Sequence, residues 1–459
     1  MRGSSEAGAR FNRRLLAVTA VVAATMVSSG LLGITNPAGA ASAGGSGEFA
    51  GTAKIEANLN SVSCWSAKAC IAVGDYLNSK DDQLPIAMAW NGTTWTMQKI
   101  SGQGTIGSYL FATSCSSASY CMAVGQSEVP YSPLPLPTLF AEAWDGKVWK
   151  ILPGLQPPKT DEGYLWDVSC VATNSCTVVG DAGELPATKP GVPLVQGVAE
   201  RWDGTKWTNE TVPFPKEPSN STILDAVSCR TASECTAVGT YGTDTMSVYH
   251  SYPVAENWNG SEWTFTKLPM PPAGTTIAVT YLNALSCAAA GQCVTTGTYT
   301  ADTHAQDAFS IVQGSKGWTD YPVAAPKPVN AISPNILSTS CVTASWCMGT
   351  GTYQSLSNYH ALAEVWNGKS WTLSAVGDSA QPATTLSWAS CTATSSCMTV
   401  GTSGSTPPTL TPSYTLAESL SGAKWSIVPT PQPPGCQSAC SPTARFSNLL
   451  RPSGGRPRR

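Results

Sequence analysis

A pair of cysteines separated by five residues recurs seven times in this chain of 459 residues. The first cysteines of successive pairs lie 50 to 59 residues apart. A repeat of that length is the size of one supersecondary unit, so the chain is predicted to fold as an array of similar units. The pairs are Cys64/Cys70, Cys115/Cys121, Cys170/Cys176, Cys229/Cys235, Cys287/Cys293, Cys341/Cys347 and Cys391/Cys397.

The residues around each pair predict a β-hairpin. A leucine or isoleucine lies five residues before the first cysteine, and a small-x-Gly triplet follows the second one. The flanking segments, such as residues 224–229 and 235–239, are short, β-prone and separated by polar turn residues. Facing positions of a hairpin are close enough to be bridged, so we expect one internal disulfide in each copy. All 14 cysteines are counted among the candidate site residues, with the role of bridges across a hairpin and no redox chemistry.

The cysteine count also indicates the redox environment. An even number of cysteines, 16, arranged in close pairs fits an oxidising compartment. Zinc is the alternative, but zinc sites use shorter spacings with a second pair or histidines nearby, and this chain has three histidines. Disulfides are therefore favoured, and no cofactor is expected. The pairing of Cys436 and Cys440, which lie outside the repeat, stays open.

A second hairpin closes most copies. Two tryptophans flank an Asn-Gly or Asp-Gly turn in five copies, as at Trp258 and Trp263. The fifth and seventh copies keep only the later tryptophan, Trp318 or Trp425. A tryptophan in register with the β pattern is typical of packing between neighbouring sheets, and a sugar-stacking platform is the alternative.

Two hairpins in each repeat make four strands, which is the content of one propeller blade. The predicted fold class is therefore all-β: a seven-bladed β-propeller of four-stranded blades, with one hairpin disulfide per blade. A closed ring of blades leaves no free sheet edges. An open β-solenoid is the alternative architecture.

The repeat resembles kelch-type repeats, in which a glycine-ended second strand and a tryptophan on the fourth strand recur in each blade. It is also similar to secreted actinobacterial repeat proteins with Ser-Cys-x5-Cys-x-Ala-Val-Gly and Ala-Glu-x-Trp-Asn-Gly-x-x-Trp units, over about residues 55–430. The cysteine pairs and the lack of a glycine doublet depart from kelch. The resemblance implies a propeller, and because that fold hosts many functions it implies no single activity.

The two ends of the chain differ from the repeats. Within residues 1–40, Arg10, Arg13 and Arg14 precede an apolar run and a small-residue cleavage site, which predicts an export signal peptide. A retained membrane anchor is the alternative. We expect a linker at residues 41–54, the propeller at 55–434 and a disordered basic tail at 435–459. The protein is then secreted, extracellular or cell-wall associated, and free of the membrane after cleavage.

Charge argues against one class of partner. Residues 41–440 contain 17 Lys and Arg against 28 Asp and Glu, a net charge of −11. Because phosphate neutralisation needs a basic face, nucleic acid is not the expected partner. A glycan or a protein outside the cell is the expected ligand, and the chain is expected to be a monomer.

Loops between the glycine triplet and the tryptophan hairpin vary while their flanks repeat, and such insertions commonly form the binding face. Tyrosines in these segments, with polar neighbours, suit sugar or peptide recognition. Capping of a central channel is the alternative role. The predicted ligand-binding residues are Tyr76, Tyr241, Tyr299, Tyr353, Tyr249 and Tyr359.

Catalysis has little support in the sequence. His250, His304 and His360 lie in the loops of three consecutive copies and could hold a metal, but no carboxylate or cysteine joins them. Nucleophile motifs, phosphate-binding loops and paired catalytic carboxylates are absent. We therefore expect a non-catalytic binding protein without a metal site. The alternative is a metal-dependent secreted oxidase or hydrolase on the same scaffold.

Overall fold

The computed structural model describes residues 56–433, except 79–81, 101–105, 130–135, 156–161, 184–194, 214, 216–220, 246–247, 272–276, 302–305, 325, 327–330, 356–357, 378–380, 382 and 405–412. Regular structure in the described part consists of β-strands. None of it forms a helix that could cross a membrane. The signal peptide, linker and tail expected from the sequence lie outside the described residues and stay predictions.

The described residues form 28 strands. They are β1 Ala57–Ser66, β2 Ala69–Leu77, β3 Gln83–Trp90, β4 Trp95–Gln98, β5 Ile106–Ser117, β6 Tyr120–Val129, β7 Leu136–Trp144, β8 Trp149–Leu152, β9 Glu162–Ala172, β10 Ser175–Gly183, β11 Val195–Trp202, β12 Trp207–Glu210, β13 Ser221–Thr231, β14 Glu234–Thr245, β15 Val248–Trp258, β16 Trp263–Lys267, β17 Ile277–Ala289, β18 Gln292–Ala301, β19 Gln306–Gly314, β20 Gly317–Pro322, β21 Ala331–Thr343, β22 Trp346–Ser355, β23 Asn358–Trp366, β24 Trp371–Leu373, β25 Ala383–Ala393, β26 Ser396–Gly404, β27 Ser413–Ser421 and β28 Lys424–Ile427.

Strands pair in sets of four that follow chain order. Within each set, every strand is antiparallel to the next, from β1-β2-β3-β4 through to β25-β26-β27-β28. Three sets are separate four-stranded sheets. The other four form two eight-stranded sheets, each joined by a single parallel pairing, Val195 with Ser221 and Tyr359 with Ala383. We refer to each set of four as a unit, numbered from the first to the seventh.

The disulfides lie where the cysteine spacing predicts them. The two cysteines of each pair face one another across the first hairpin of a unit, for example Cys229 opposite Cys235. All seven pairs are bridged, with Cα–Cα distances of 3.9 to 4.0 Å. The prediction of one internal bridge per copy is confirmed.

The recurrent glycine on the second strand allows a close approach of backbone. A Cβ atom added to Gly239 would lie 1.9 Å from the carbonyl oxygen of Ile223 on the paired strand. A Cβ atom added at the corresponding glycine of each other unit would lie 1.8 to 2.0 Å from a carbonyl oxygen. We call these seven residues the glycine column: Gly74, Gly125, Gly180, Gly239, Gly297, Gly351 and Gly401. The first strand carries a β-bulge at the residue after each leucine, as between Leu224 and Ala226. A side chain at the glycine position would therefore prevent this bulge from forming.

Hydrophobic cores lie between the units rather than inside them. One cluster joins Ile71 and Val73 of the first unit to Leu110 and Trp149 of the second. Corresponding clusters join each later unit to the next. The later tryptophans of the second hairpins are buried in these clusters in five units, at Trp95, Trp149, Trp263, Trp371 and Trp425. They pack between neighbouring sheets, as the sequence predicts.

The second cysteine of every pair belongs to one of these cores. Each is 0 to 4% exposed and lies in the cluster between its own unit and the preceding one, at Cys70, Cys121, Cys176, Cys235, Cys293, Cys347 and Cys397. Alternate residues of a strand share a face, so Cys70 points the same way as the buried Ala72. The first cysteines, apart from the buried Cys170, are half-buried. Each bridge therefore joins a cysteine in the core between two units to the facing cysteine on the first strand of the same hairpin.

The first and seventh units also pack against each other. Leu59 and Met88 share a core cluster with Val400 and Ala417. The serine that precedes each first cysteine accepts a hydrogen bond from the cysteine N–H of the next unit. These bonds run from Cys115, Cys170, Cys229, Cys287, Cys341 and Cys391 to the serines Ser63, Ser114, Ser169, Ser228, Ser286 and Ser340, at 2.9 to 3.1 Å.

The seventh bond closes the circle. The N–H of Cys64 in the first unit donates to Oγ of Ser390 in the last unit at 2.9 Å. Units at the two ends of the sequence are therefore joined by the same contact that joins consecutive units. The result is a β-propeller-like repeat structure with repeated hairpin disulfides.

Candidate functional site

The cysteines counted among the candidate site residues are part of the scaffold, as their predicted role of bridges across the hairpins implies. Seven of them are 0 to 4% exposed inside hydrophobic clusters, at Cys70, Cys121, Cys176, Cys235, Cys293, Cys347 and Cys397. A sulfur atom at this depth has almost no surface to offer a ligand. Their bridges are confirmed, and these cysteines are core residues, in keeping with the structural role predicted for them.

Tyrosines expected to bind ligand make contacts within their own units. Tyr241 is 3% exposed, and its ring lies 5.5 Å from the ring centroids of both Tyr252 and Phe265. The two partners belong to β15 and β16 of the same unit. Its ring therefore contributes to the packing of the fourth unit and has little surface to offer a ligand.

The other tyrosines are distributed over three units. Tyr76 is half-buried against the core between the first and seventh units. Tyr299 meets Phe309 edge-on at 6.0 Å. Tyr353 stacks on His360 at 5.1 Å. The structure does not bring these rings into contact with one another, and ligand binding by them stays a prediction.

Two further predicted residues differ in what can be said of them. Tyr359 is buried, at the start of β23. Tyr249 and His250 belong to β15, but their side chains lie outside the described part, as does His304 altogether. Among the described residues no group of three or more histidine, cysteine, aspartate or glutamate side chains could hold a metal ion.

Four other aromatic residues form one contiguous group on two neighbouring first strands. The rings of Tyr109 and Phe111 stack at 6.1 Å, and those of Tyr164 and Trp166 at 5.3 Å with an interplanar angle of 3°. Phe111 and Trp166 join the two stacks at 5.6 Å. All four side chains are partly exposed. We call Tyr109, Phe111, Tyr164 and Trp166 the inner aromatic cluster.

The leucine column, which is the leucine or isoleucine five residues before each first cysteine, explains where this cluster lies. Leu110 and Leu165 are fully buried between units, and each has an aromatic residue on both sides in the sequence. Alternate residues of a strand point to the same face, so the two flanking rings stack on each other while the leucine enters the core. Phe111 and Trp166 are also the bulge residues of their strands. First strands of successive units contact one another, which places the cluster at the inner edge of the sheets.

One carboxyl group contacts the cluster, and a second lies at the corresponding position of the next first strand. The indole N–H of Trp166 donates to Oδ1 of Asp181 at 2.5 Å. Asp225 occupies, on β13, the bulge position that Trp166 occupies on β9. Burial raises the pKa of the Asp225 carboxyl well above its usual range, and the neighbouring Asp181 carboxylate raises it further. We call Asp181 and Asp225 the acidic pair.

Asp225 differs from other residues at the bulge position. Asn60 donates its side-chain N–H to the carbonyl of Leu110 in the next unit, and Asn283 donates to the carbonyl of Ile336, both at 2.9 Å. Ionised aspartate has no such donor. The side chain of Asp225 is partly exposed, yet its Oδ2 is inaccessible and has no hydrogen-bond partner. Asp225 therefore does not make the contact between units that asparagine makes at this position.

Aromatic faces beside carboxylate acceptors can bind a hydroxyl-bearing ring. The faces stack on C–H groups, and the carboxylates accept hydrogen bonds from hydroxyl or ammonium groups. Sequence reasoning missed this site because it looked for binding residues in the variable loops. The available signal was the pair of positions flanking the leucine column, which hold aromatic residues in adjacent copies at Tyr109, Phe111, Tyr164 and Trp166.

A recurrent glutamate on the third strand is buried in five units, at Glu142, Glu200, Glu256, Glu364 and Glu418. The Glu364 carboxylate accepts a hydrogen bond from the N–H of Ala324, and Glu418 accepts one from Gly377, in the connections that precede their units. These bonds hold the connecting chain, which is a structural role.

Glu256 lacks this contact. Ala324 lies six residues after Trp318, and the residue six after Trp207 is Pro213, which has no N–H. Both carboxyl oxygens of Glu256 are without a hydrogen-bond partner. Burial raises the pKa of Glu256 to about 8, so this fully buried side chain is held mainly in its neutral form at pH 7.

No protein-family model and no curated protein matches the chain. Among solved structures, a polysaccharide lyase of family PL25, an ulvan lyase bound to -[GlcA(1-4)Rha3S]-, aligns with a TM-score of 0.53 and 10% identity, over 81% of this chain and 96% of that chain. A second structure of a PL25 ulvan lyase aligns with a TM-score of 0.52 at the same identity and coverage.

A fungal lectin from Aleuria aurantia, a six-bladed β-propeller with a novel fucose recognition mode, has a TM-score of 0.40 and 13% identity, over 84% of this chain and 98% of that chain. The likeness to the ulvan lyase structures, at 10% identity, concerns the fold. The repeated four-stranded units and the bond that joins the last unit to the first identify a β-propeller-like architecture.

Proposed function

We propose that this chain is a secreted, non-catalytic β-propeller of seven blades that binds an extracellular glycan at the inner aromatic cluster and the acidic pair. The observation that carries the proposal is the joined pair of ring stacks, Tyr109 with Phe111 and Tyr164 with Trp166, on neighbouring inner strands beside Asp181. These rings remain partly exposed, whereas the tryptophans of the second hairpins are largely buried.

The chemistry of this site favours a sugar over an apolar ligand. Stacked aromatic rings offer flat apolar surface to the C–H face of a pyranose, and carboxylate oxygens accept hydrogen bonds from its hydroxyl groups. Binding sites of this kind combine apolar walls with a few convergent polar groups. Tyr109 and Tyr164 each add a phenolic hydroxyl that can donate or accept.

The charge of the site narrows the class of glycan. The oligosaccharide in the ulvan lyase contains glucuronic acid and sulfated rhamnose, and is anionic. In this chain an anionic sugar would add a further negative group beside Asp181 and Asp225, where burial and then repulsion between the two carboxyl groups already raise the pKa of Asp225. The proposed ligand is therefore a neutral or cationic glycan.

The proposal also includes a ring of seven blades and secretion from the cell. Seven sets of four strands, with seven serine–cysteine hydrogen bonds that return to the first unit, support a closed ring of seven blades. Seven disulfides indicate an oxidising environment. Together with the signal-like N-terminal sequence, they support a protein that acts outside the cytoplasm.

A glycan-array screen of the oxidised protein tests the proposal, with Tyr164→Ala as the site variant and Tyr281→Ala as its matched control. Both tyrosines directly precede a residue of the leucine column, but Tyr281 lies on β17, is 43% exposed and is outside the cluster. Tyr164→Ala should weaken binding to array glycans by about tenfold or more, since apolar contact with an aromatic ring contributes about 1.4 kcal/mol or more, and each 1.4 kcal/mol is tenfold in affinity. Tyr281→Ala should leave binding unchanged.

Equal losses in the two variants, or no binding to any neutral or cationic glycan, would refute the assigned site. Ligand contact by Tyr76, Tyr299 and Tyr353 also stays a prediction, and the same screen tests it with Tyr353→Ala. A loss with that variant alone would place the site on the second and third strands of the sixth unit instead.

A further inference from the structure

One end of every unit is formed by its two tight turns. The turn between the first two strands and the turn between the last two lie at the same end of the sheet, because neighbouring strands are antiparallel. The two turns also touch. A Cβ atom added to Gly92 would lie 3.0 Å from Cβ of Lys68, and the N–H of Gly422 donates to the carbonyl of Ser395 at 2.9 Å. We call this end of the units the turn end.

Four units have a lysine at the turn end and no acid beside it. The lysines are Lys316 in the fifth unit, Lys369 in the sixth, Lys424 in the seventh and Lys68 in the first. All four side chains are exposed. The turns of these units contain no Asp or Glu, and none of the four lysines forms an ion pair with a carboxylate in the described part of the chain. We call Lys68, Lys316, Lys369 and Lys424 the basic arc.

The four units of the basic arc are consecutive, since the seventh unit joins the first. Three hydrogen bonds link them in the order fifth, sixth, seventh, first, each at 2.9 Å, from Cys341 to Ser286, from Cys391 to Ser340 and from Cys64 to Ser390. Each of these cysteines begins the segment that contains the first turn of its unit. The links therefore hold the turns of neighbouring units side by side.

The other three units have no such surplus of positive charge. Lys150 pairs with Asp145 at 2.7 Å in the second unit, and Arg230 pairs with Glu234 at 3.0 Å in the fourth. At the turn end these three units have four basic and four acidic side chains, namely Lys147, Lys150, Lys206 and Arg230 against Asp145, Asp203, Glu234 and Glu262. The surplus is therefore confined to the basic arc.

We propose that the basic arc binds a linear anionic polysaccharide. A lysine ammonium group is a compact charge on a flexible stem, and it attracts carboxylate, sulfate or phosphate oxygens without demanding one fixed geometry. Lysines that follow one another from unit to unit suit a chain with an anionic group in each repeat, because each ammonium group can meet a different one. This surface lies on other units than the inner aromatic cluster, so the proposal is independent of the proposed glycan site.

The net negative charge of the chain does not prevent such binding, because the acids are distant from the basic arc. In the fifth unit, Asp320 lies four residues beyond Lys316 along β20, which is about 13 Å of extended chain. Asp307 lies seven residues before the turn residue Gly314 on β19, about 23 Å away. Both distances exceed the Debye length of about 8 Å at physiological ionic strength, so salt screens these acids from the turn end.

Two other anionic partners fit this surface less well. Single-stranded nucleic acid is bound by aromatic faces on which its bases stack, but Trp65 and Trp346, which lie between the paired cysteines, pack against core clusters. Attachment to a membrane surface uses apolar side chains that enter the bilayer as well as charge. Among the described residues, no large exposed apolar side chain lies in the turns of the basic arc. An anionic polysaccharide needs neither feature.

The experiment measures binding of a galacturonate decasaccharide, which has one carboxylate in every sugar, to the oxidised protein by isothermal titration calorimetry at pH 7. Affinity should fall by about tenfold or more as sodium chloride rises from 50 to 500 mM, because exposed ion pairs are screened by salt. Tyr164→Ala should bind this probe as the wild type does, which separates the basic arc from the inner aromatic cluster.

The key variant replaces all four lysines of the basic arc by Gln. Loss of four exposed ion pairs should weaken binding of the decasaccharide by about tenfold or more. The control removes four other exposed lysines, at Lys99, Lys150, Lys206 and Lys267, and therefore loses the same charge. Its affinity should stay within about threefold of the wild type. Both variants should keep the thermal midpoint, since exposed substitutions of this kind change stability little.

Each alternative outcome overturns the proposal. These outcomes are no binding of the decasaccharide, binding that is insensitive to salt, equal losses in the two quadruple variants, or a loss in Tyr164→Ala. If a single-stranded thymidine decamer or vesicles of phosphatidylglycerol bind more tightly than the decasaccharide, and lose affinity in the variant of the basic arc, the surface serves that other class of partner. Glycan binding at the inner aromatic cluster is unaffected by any of these results, because Tyr164→Ala tests it separately.

Discussion

Gly239→Ala tests whether a close approach of two backbone strands explains why glycine recurs at this position. The added Cβ would lie 1.9 Å from the carbonyl oxygen of Ile223, and 2.8 and 2.9 Å from two further backbone atoms of that strand. Gly239 pairs with Leu224, directly beside the bulge at Asp225. All the close atoms are main-chain atoms, so no side chain can rotate away to make room.

The magnitude follows from this distance. Relief of the clash needs a separation of more than about 1 Å between two hydrogen-bonded strands, which breaks ladder bonds and shifts Leu224 in the core. Overpacking of a core costs about 1 to 3 kcal/mol where side chains can adjust, and here only backbone can move. We expect Gly239→Ala to lower the free energy of unfolding by about 4 kcal/mol or more, within the range reserved for severe substitutions.

Guanidinium denaturation followed by tryptophan fluorescence measures the change, and Gly314→Ala is the matched control. A Cβ at Gly314 meets nothing within 4 Å, so its midpoint should stay within about 0.5 kcal/mol of the wild type. A Gly239→Ala protein within about 1 kcal/mol of the wild type would refute the argument that close backbone approach explains the glycine column.

Three further predictions concern single units. Trp263→Ala removes a side chain that is 3% exposed and should cost about 3 to 5 kcal/mol in a denaturant titration; an unchanged midpoint would contradict its packing role. Replacing both Cys229 and Cys235 by Ser should lower stability by about 2 kcal/mol, as a short disulfide loop predicts, and an unchanged thermal midpoint would contradict this. The pKa of Glu256 is raised from 4.5 to about 8 in the folded protein. The stability linked to this carboxyl is fully present below pH about 4.5, and the free energy of unfolding then falls by up to about 1.4 kcal/mol per pH unit until the pH has risen through about 8. Glu256→Gln should reduce that slope whereas the exposed Glu262→Gln should not, and equal slopes would argue against a buried neutral carboxyl.

Much of the local structure follows from the sequence because its causes are local. Cys229 and Cys235 are six positions apart on one hairpin, so their pairing needs no long-range information. The glycine column indicates that the backbones of two paired strands approach closely at the same place in every unit, as at Gly239. The tryptophan hairpins were assigned to packing between sheets from their register alone, and the burial of Trp263 confirms this.

The sequence predicts which cysteines are paired, but it could not predict how deeply the disulfides are buried. Pairing depends on one hairpin, but the burial of Cys70 depends on the seventh unit, whose Met398 and Val400 share its core cluster. The same reason applies to Cys121, Cys176, Cys235, Cys293, Cys347 and Cys397, each covered by the unit that precedes its own. Their burial therefore follows from packing between units.

The candidate site could not be found from local pattern either. The tyrosines that follow the glycine column recur in several copies, which is why the sequence predicts them as ligand-binding residues. Tyr241, however, packs inside its own unit. Phe111 and Trp166 are 55 positions apart in the sequence and come into contact because the first strands of consecutive units are neighbours. Asp225 stands out only by comparison with Asn60 and Asn283, whose hydrogen bonds are visible in the folded chain.

The sequence by itself determined the length of the repeat, the two hairpins in each copy, the seven disulfides and the positions of the buried tryptophans. These features depend on residue spacing along one strand pair, where chain connectivity sets the distances. Only the tertiary structure decided that the last unit meets the first through Ser390 and Cys64. It also decided that an aromatic cluster and an acidic pair meet at the inner edge of the sheets, because that meeting depends on how whole units pack, which no single repeat encodes.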